Sequence, residues 1–418
     1  MSADESKSFD HYYTPEHPEL GTGPVSIEPY VSPEYFELER RCIFRRSWLL
    51  FCHVSEIPNA GDYKVRDVAV FGTSIIVVRG TDGVVRAFHN VCRHRGNRLV
   101  FDNGRGNAPA FVCRMHGWAY GTDGRLRGVP EQDRFFDLDK KNCGLPPVSM
   151  EIWNSFVFIH AEAEPAQSLR EYLGQLAIDM DGYPFERMRM VAEYTANLKA
   201  NWKTVLNIFQ EAYHVATVHR NVVPTQADVK GGSARFVHFR LHGQHRSASL
   251  PMNPSFQRSP TELLAGEFSL GFSTGTPNDP AQAWPGMNPA GIRDFAFDLN
   301  VIFPSSIIDP AQGWFFSYEF WPASVDETQF VTKVYFEEPK SWGQRIGQEF
   351  TIVQVREGLL EDLAVLEPNQ AAMASGAIDS VILSDQELAI RHQHHIIDSI
   401  LRNARSNSEA ATTAKLHR

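Results

Sequence analysis

The sequence predicts an α+β protein, with a β-rich first part followed by a part that mixes helices and strands. Between Asp62 and Asn90, short Val/Ile-rich runs alternate with turn signals at Gly72, Gly80 and the Asp82-Gly83 pair, which is hairpin chemistry. Past about residue 165, stretches with helical periodicity such as "SLREYLGQLAIDM" and "NWKTVLNIFQEAYHVATVH" give way to strand-like runs such as "FDLNVIFPSSII" and "QGWFFSYEFWPA". At 418 residues, 43% of them hydrophobic, the chain has material for a large core or two domains.

The elements follow in order. The opening "MSADESKSFDHYYTPEHPEL" is polar and acidic where a secretory signal needs a basic end and an apolar run, and no later stretch approaches a membrane span. A cytoplasmic protein without a membrane partner is expected. A net charge of −10 offers no basic face to phosphates, so nucleic acid is excluded as a partner. Ser32 to Trp48 predicts a short helix with Pro33 just inside it, because Tyr35, Phe36, Leu38, Cys42 and Ile43 share one side. The β-rich region carries a further turn at Asp123-Gly124 and closes with "SMEIWNSFVFIHAE" near residue 165. Pro251 to Gly291, rich in Pro, Gly and Ser, suits a lid or binding loop and equally a surface excursion. Two helices are expected near the end, Ile352 to Leu366 and Asp385 to Arg402, the second opened by a Ser384/Glu387 capping box. The tail from Asn403 reads as frayed.

Five cysteines, Cys42, Cys52, Cys92, Cys113 and Cys143, are too few and odd in number for a disulfide framework. Two of them belong to Cys/His pairs: Cys92 with His94, and Cys113 with His116, on two loops between strand-like segments. Four such ligands mean a metal site. A zinc ion would take all four tetrahedrally, although one-residue spacing is cramped for chelation of a single ion. Divided instead, the loops give both cysteines to one iron and both histidines to its partner in a [2Fe-2S] cluster.

A second constellation lies in "NWKTVLNIFQEAYHVATVHRN". Asn207, Glu211 and His214 are spaced i, i+4, i+7 and share a face on a helix, whereas His219 falls off it. Bringing both imidazoles to one ion requires a break or bulge between them. Two histidines with a distant carboxylate make the facial triad of non-haem iron(II) oxygenases, although H-x4-H taken alone more often describes two surface histidines.

The segments "CRHRG" and "CRMHGWAYGTDGRL" resemble the cluster loops of Rieske non-haem iron ring-hydroxylating oxygenase α subunits, and "NWK", Asn207, "EAYH" and His219 resemble the iron helix of the same family. The resemblance runs from about residue 30 to residue 402. It implies a β-rich Rieske domain over residues 46–165 and a catalytic domain over 166–418, with an antiparallel sheet flanked by helices in a helix-grip, START-like arrangement. Residues 1–45 would pack on the catalytic domain. The cofactors implied are a Rieske [2Fe-2S] cluster on Cys92, His94, Cys113 and His116, and mononuclear Fe(II) on His214, His219 and Asp362, with Glu361 as the fallback third ligand. Asn207 is a further candidate catalytic residue.

Glu211 stands where the family more often has aspartate, the carboxylate that bridges one subunit's cluster to its neighbour's iron site. Glutamate keeps the charge and the acceptors, so the bridging role is expected to survive. The implied activity is a terminal oxygenase using O2 to hydroxylate an aromatic or similarly hydrophobic substrate, by dihydroxylation or, alternatively, by removal of an O- or N-methyl group. No dinucleotide fingerprint is visible, so electrons are expected from a separate NAD(P)H-dependent reductase, with or without a ferredoxin. A head-to-tail homotrimer, with or without small β subunits, completes the expectation. Arg93, Arg95 and Arg114 read as charge compensation or plain surface, Trp118 and Tyr120 as docking surface or packing. His238, His242 and His245, and "RHQHH" from Arg391 to His395, read chiefly as structural. Ile208, Phe209, Val215 and Val218 suggest an apolar pocket.

Overall fold

A computed structural model describes residues 12–219, 235–251, 259–268, 284–292 and 295–416. The chain divides into two units, one spanning Phe44–Tyr172, the other combining Met1–Ile43 with Leu173–Arg418. The second boundary falls beyond residue 165 because the segment after the last strand still belongs to the first unit: Leu169 N–H donates to Glu151 and Trp48 Nε1 to the Gln167 carbonyl.

The Phe44–Tyr172 unit is built from short antiparallel strands. A four-stranded sheet orders Val85–His89, Thr73–Arg79, Asp62–Val68 and Gly104–Asn107. A three-stranded sheet holds Ala110–Val112, Ala119–Gly121 and Leu126–Gly128, and another joins Ser149–Trp153, Phe156–His160 and Leu49–His53. Val65, Ile76, Val78, Phe88, Phe111 and Leu126 form a core that also encloses Cys92 and Cys113.

The second unit is organised by a seven-stranded antiparallel sheet running from Met188–Leu198 through Thr328–Glu337, Trp314–Pro322, Ser306–Ala311, Phe295–Ile302 and His245–Pro251 to Val237–His242. Across it lies one long helix, Trp342–Ala374, whose Ile352 and Val355 pack on Trp314, Phe316, Val334 and Phe336. This helix extends well past the expected Ile352 to Leu366 at both ends and accommodates Pro368. The last helix, Leu388–Leu416, follows the anticipated cap, where the Glu387 carboxylate accepts from Ser384 N–H at 2.7 Å. It continues through the tail that read as frayed. Of the Pro/Gly/Ser-rich stretch, Pro260–Phe268 is a helix packed on the long one, and residues 252–258 and 269–283 lie outside the described residues.

The expected N-terminal helix is Pro33–Cys42, with Ser32 as its N-cap, and it stops before Trp48 in a 3-10 turn at Phe44–Arg46. It buries Glu39, whose carboxylate receives Lys203 Nζ at 2.7 Å and Trp202 Nε1 at 3.0 Å, with both charged side chains at 0% exposure. Removing one partner strands a charge out of water, which costs far more than the pair itself contributes. Lys203→Met is expected to lower unfolding stability by about 3–5 kcal/mol in urea titrations, and Glu39→Leu added to it to recover much of that loss.

Candidate active site

In the first unit, the two Cys/His loops share one turn. Gly96 N–H donates to the Cys92 carbonyl and Gly117 N–H to that of Cys113, both at 2.9 Å, and both glycines take positive φ, +76° and +71°. A side chain is disfavoured there, and at Gly117 it would also press on Pro130. Each turn buries its cysteine and carries its histidine outward, His94 half-buried and His116 exposed. The rings lie 4.7 Å apart, and His94 stacks on Trp118 at 5.0 Å and 8°. The cysteines are free. The Tyr120 hydroxyl stands 3.3 Å from Cys92 Sγ and accepts from Arg93 N–H at 2.9 Å, while Asn97 Nδ2 reaches Cys113 Sγ at 3.8 Å. Two buried thiols at one end and two imidazoles at the other suit a cluster with unlike irons. Trp118 and Tyr120 are both buried, so neither is docking surface; they back His94 and Cys92. Arg114 lies over the Phe101 ring at 4.8 Å, and Arg93 and Arg95 are exposed.

The second site depends on where a helix stops. Trp202–Asn207 is α-helical, Ile208–Gln210 tightens to 3-10, and Glu211 is fully extended (φ −140°, ψ 164°). The single face expected for Asn207, Glu211 and His214 therefore does not exist. The break comes before His214, not between the histidines, and His214 and His219 flank one short turn, Val215–Val218. Asn207 instead donates to the Tyr30 hydroxyl at 2.7 Å and accepts from Gln210 at 3.2 Å.

The break lets three ligand atoms converge. His214 Nε2 and His219 Nε2 are 3.3 Å apart, and Asp362 Oδ1 stands 3.4 and 3.1 Å from them. Each imidazole is held from behind by a carboxylate: His214 Nδ1 by Glu211 at 2.6 Å, His219 Nδ1 by Glu361 at 3.0 Å. Glu361, the fallback ligand, thus orients His219 while Asp362 faces the triad. With both Nδ1 atoms donating and both rings neutral, two ring lone pairs and a carboxylate oxygen point at one another, and Asp362 Oδ1 is buried without a satisfied hydrogen bond. Acceptors facing acceptors suit a cation, and among the described residues this is the group of three that could hold one.

Burial pulls the His214 pKa down, but Asp362 and Glu211 more than offset it and raise it to about 9. Burial pushes Asp362 up, and the two histidines outweigh it and hold it below its usual value.

Beside the triad lies a cavity of about 160 Å³. Ile208, Phe209 and Val215 line it as expected and Val218 does not; Phe297, Phe316 and Tyr318 supply the sheet wall, which also carries the acid Asp309. His242, beside Ser247 and Asp179, and His245, accepting from Phe303 N–H, stand away from it. A register shift between Val237 and Arg240 interrupts the strand pairing at His238.

The ring hydroxylating alpha subunit (catalytic domain) family model matches residues 185–403, and the Rieske [2Fe-2S] domain model matches residues 47–148. The chain belongs to the Rieske oxygenase α subunits. Among relatives of this α subunit, the carnitine monooxygenase oxygenase subunit of Escherichia coli (strain K12) is 34% identical over 192 residues, 46% of this chain and 50% of that protein. The large oxygenase component of the naphthalene 1,2-dioxygenase system of a Ralstonia species is 40% identical over 195 residues, covering 44% and 42%. The chain spans about half the length of the curated relatives it matches. In fold, the α subunit is similar to a quaternary ammonium Rieske monooxygenase whose structure is described in terms of carnitine oxidation by gut microbiota and inter-subunit electron transfer (TM-score 0.72, 21% identity, 91% and 96% of the two chains). The family's cofactors are the [2Fe-2S] cluster and non-haem iron that the two sites suit. No helix among the described residues is long and apolar enough to cross a membrane.

Fe(II) taken up at the triad would compete with the His214 proton. In titrations of the iron-depleted α subunit, apparent Fe(II) affinity is expected to rise with pH, up to about tenfold per unit per displaced proton, and to level off above about pH 9.

Proposed function

We propose that the chain is the terminal oxygenase of a Rieske system, using O2 and electrons from a separate NAD(P)H-dependent reductase, with or without a ferredoxin, to oxygenate a hydrophobic substrate. The observation that carries this reading is the all-acceptor triad of His214, His219 and Asp362 opening on a ring-lined cavity. Those three residues would hold the mononuclear iron, and Cys92, His94, Cys113 and His116 the cluster. When bound, the iron supplies dioxygen activation and the cluster supplies single electrons.

The chain's own residues do the rest. Glu211 takes both the Nδ1–H and the backbone N–H of His214, the latter at 3.0 Å, and so fixes the ring and its tautomer. As it is also only partly buried, Glu211 is the proposed inter-subunit electron-transfer bridge, which requires a head-to-tail assembly such as a homotrimer, with or without small β subunits. Phe209, Phe316 and Tyr318 exclude water and hold an apolar substrate against the triad. Asn207, among the candidate catalytic residues, acts at one remove by tying Gln210 to Tyr30.

Ring dihydroxylation is the outcome supported by the aromatic wall. Removal of an O- or N-methyl group is the second reading, supported by Asp309 in that wall and by the likeness to a carnitine monooxygenase subunit. Turnover under labelled dioxygen separates them: a diol carrying both oxygen atoms marks the first, formaldehyde the second.

Glu211→Gln is expected to keep both metals and bind substrate while turnover falls by about 10–100-fold or more. Undiminished turnover would remove the bridging role. His214→Ala should empty the mononuclear site and leave the cluster spectrum intact; loss of the cluster would mean the ligands are divided wrongly.

A further inference from the structure

The cavity wall carries one acid that the iron site does not use. Asp309, on strand Ser306–Ala311, is 2% exposed and lines the cavity. Its Oδ1 accepts from Asn300 N–H at 2.8 Å, continuing the strand pairing beyond Val301–Ile307. Its Oδ2 has no hydrogen-bond donor among the described residues. Cross-strand register sets Asp309 opposite Phe316 and Ile307 opposite Tyr318, so all four share one face of the sheet. Phe316 stands 5.1 Å from Tyr318 and 6.4 Å from Phe297, and the Tyr318 hydroxyl, like Asp309 Oδ2, has no partner among the described residues. A half-used buried carboxyl framed by aromatic rings is complementary to a positive charge, since rings and acid both attract cations.

The charge balance points the same way. Among the described residues lining the cavity, the carboxyls are Glu211, Asp309 and Asp362, and no lysine or arginine is present. A divalent ion on the triad would already be offset by Glu211, Glu361 and Asp362 around its histidines, which leaves no positive charge there for Asp309. Burial pushes its carboxyl well above the usual range, and a cationic partner beside it would favour its charged form. An anionic substrate would lose its hydration and gain no counter-charge.

We infer that Asp309 determines specificity in this cavity, and that its substrate is a hydrophobic amine or ammonium bearing a cationic nitrogen and no anionic group. The inference rests on reading the cavity as the oxygenase's substrate site.

The test is anaerobic calorimetric titration of the metal-loaded protein with N,N-dimethylbenzylamine, benzyltrimethylammonium, the neutral carbon isostere isobutylbenzene, and phenylacetate. Both cations are expected to bind at least about tenfold more tightly than isobutylbenzene, with phenylacetate weakest. Tighter binding of the tertiary amine would assign an N–H donor to Asp309, and equal binding a purely ionic contact; either supports the inference. Asp309→Asn keeps an acceptor for Asn300 N–H and is expected to abolish the preference while isobutylbenzene binds as before. Cations that bind no better than isobutylbenzene, or not at all, would overturn the inference, as would a preference that survives Asp309→Asn. The wild-type comparison stands whether or not the variant folds. Binding needs no turnover: cation preference without substrate-dependent dioxygen consumption would keep this assignment and sink the oxygenase reading, and oxygenation of neutral hydrocarbons without cation preference would do the reverse.

Discussion

The mononuclear site depends on a helix being interrupted after Asn207, and a buried arginine holds that interruption in place. Arg246, 1% exposed, donates Nε–H to Gln210 Oε1 and Nη2–H to Gln393 Oε1 at 2.7 Å, and Gln210 in turn donates to Gln393 at 2.7 Å. Gln210 is the last residue of the tightened turn; Glu211 begins the extended segment. The network continues through Asn207 and Tyr30 to His394, whose imidazole burial and nearby cations keep neutral, at about 3, so that it accepts from the Tyr30 hydroxyl at 2.7 Å. These bonds hold Gln210 where the backbone is broken, with Arg246 Nη1 and Gln393 Nε2 left over as buried donors. An uninterrupted helix would swing Gln210 away and leave the arginine's charge without acceptors, a costly state in a dry interior.

The consequences reach the chemistry through geometry. Once the chain is extended at Glu211, its carboxylate can turn back onto His214, and one short helical turn later His219 faces the same point. Asp362 arrives from the long helix that crosses the sheet, and its neighbour Glu361 holds the second imidazole. Both candidate ligand histidines therefore turn Nε2 inward, with orientation set by a carboxylate behind each ring. The first unit reaches its metal site by a different route, two equivalent glycine turns that need no helix at all.

Metal-binding chemistry was more legible in the sequence than the geometry that delivers it. That Cys92, His94, Cys113 and His116 lie together on two equivalent turns was readable because each pair is close in sequence and its spacing follows from the turn. The strand alternation of the first unit was legible for the same local reason. The position of the helix break was not, since the residues that enforce it, Arg246 and Gln393, lie far along the chain and look like ordinary polar residues in a strand and a helix. Glu361 and Asp362 are adjacent, and only the side of the long helix each occupies decides which faces both imidazole Nε2 atoms and which holds His219 from behind. Asp309 left a faint signal as the one charge in an apolar run, "SSIID", which pattern reading passes over because a single acid near a turn is unremarkable. The Trp118 and Tyr120 roles were hidden because burial, not residue type, decides between surface and buttress.

On this reading the two ligand sets hold two different iron centres, a two-iron cluster on the loops and a single iron on the triad. Iron, zinc and acid-labile sulfide content of anaerobically purified protein, together with an EPR spectrum after reduction, tests it most directly. About three irons and two sulfides per chain with a Rieske-type signal is the predicted result. Zinc without sulfide would contradict it.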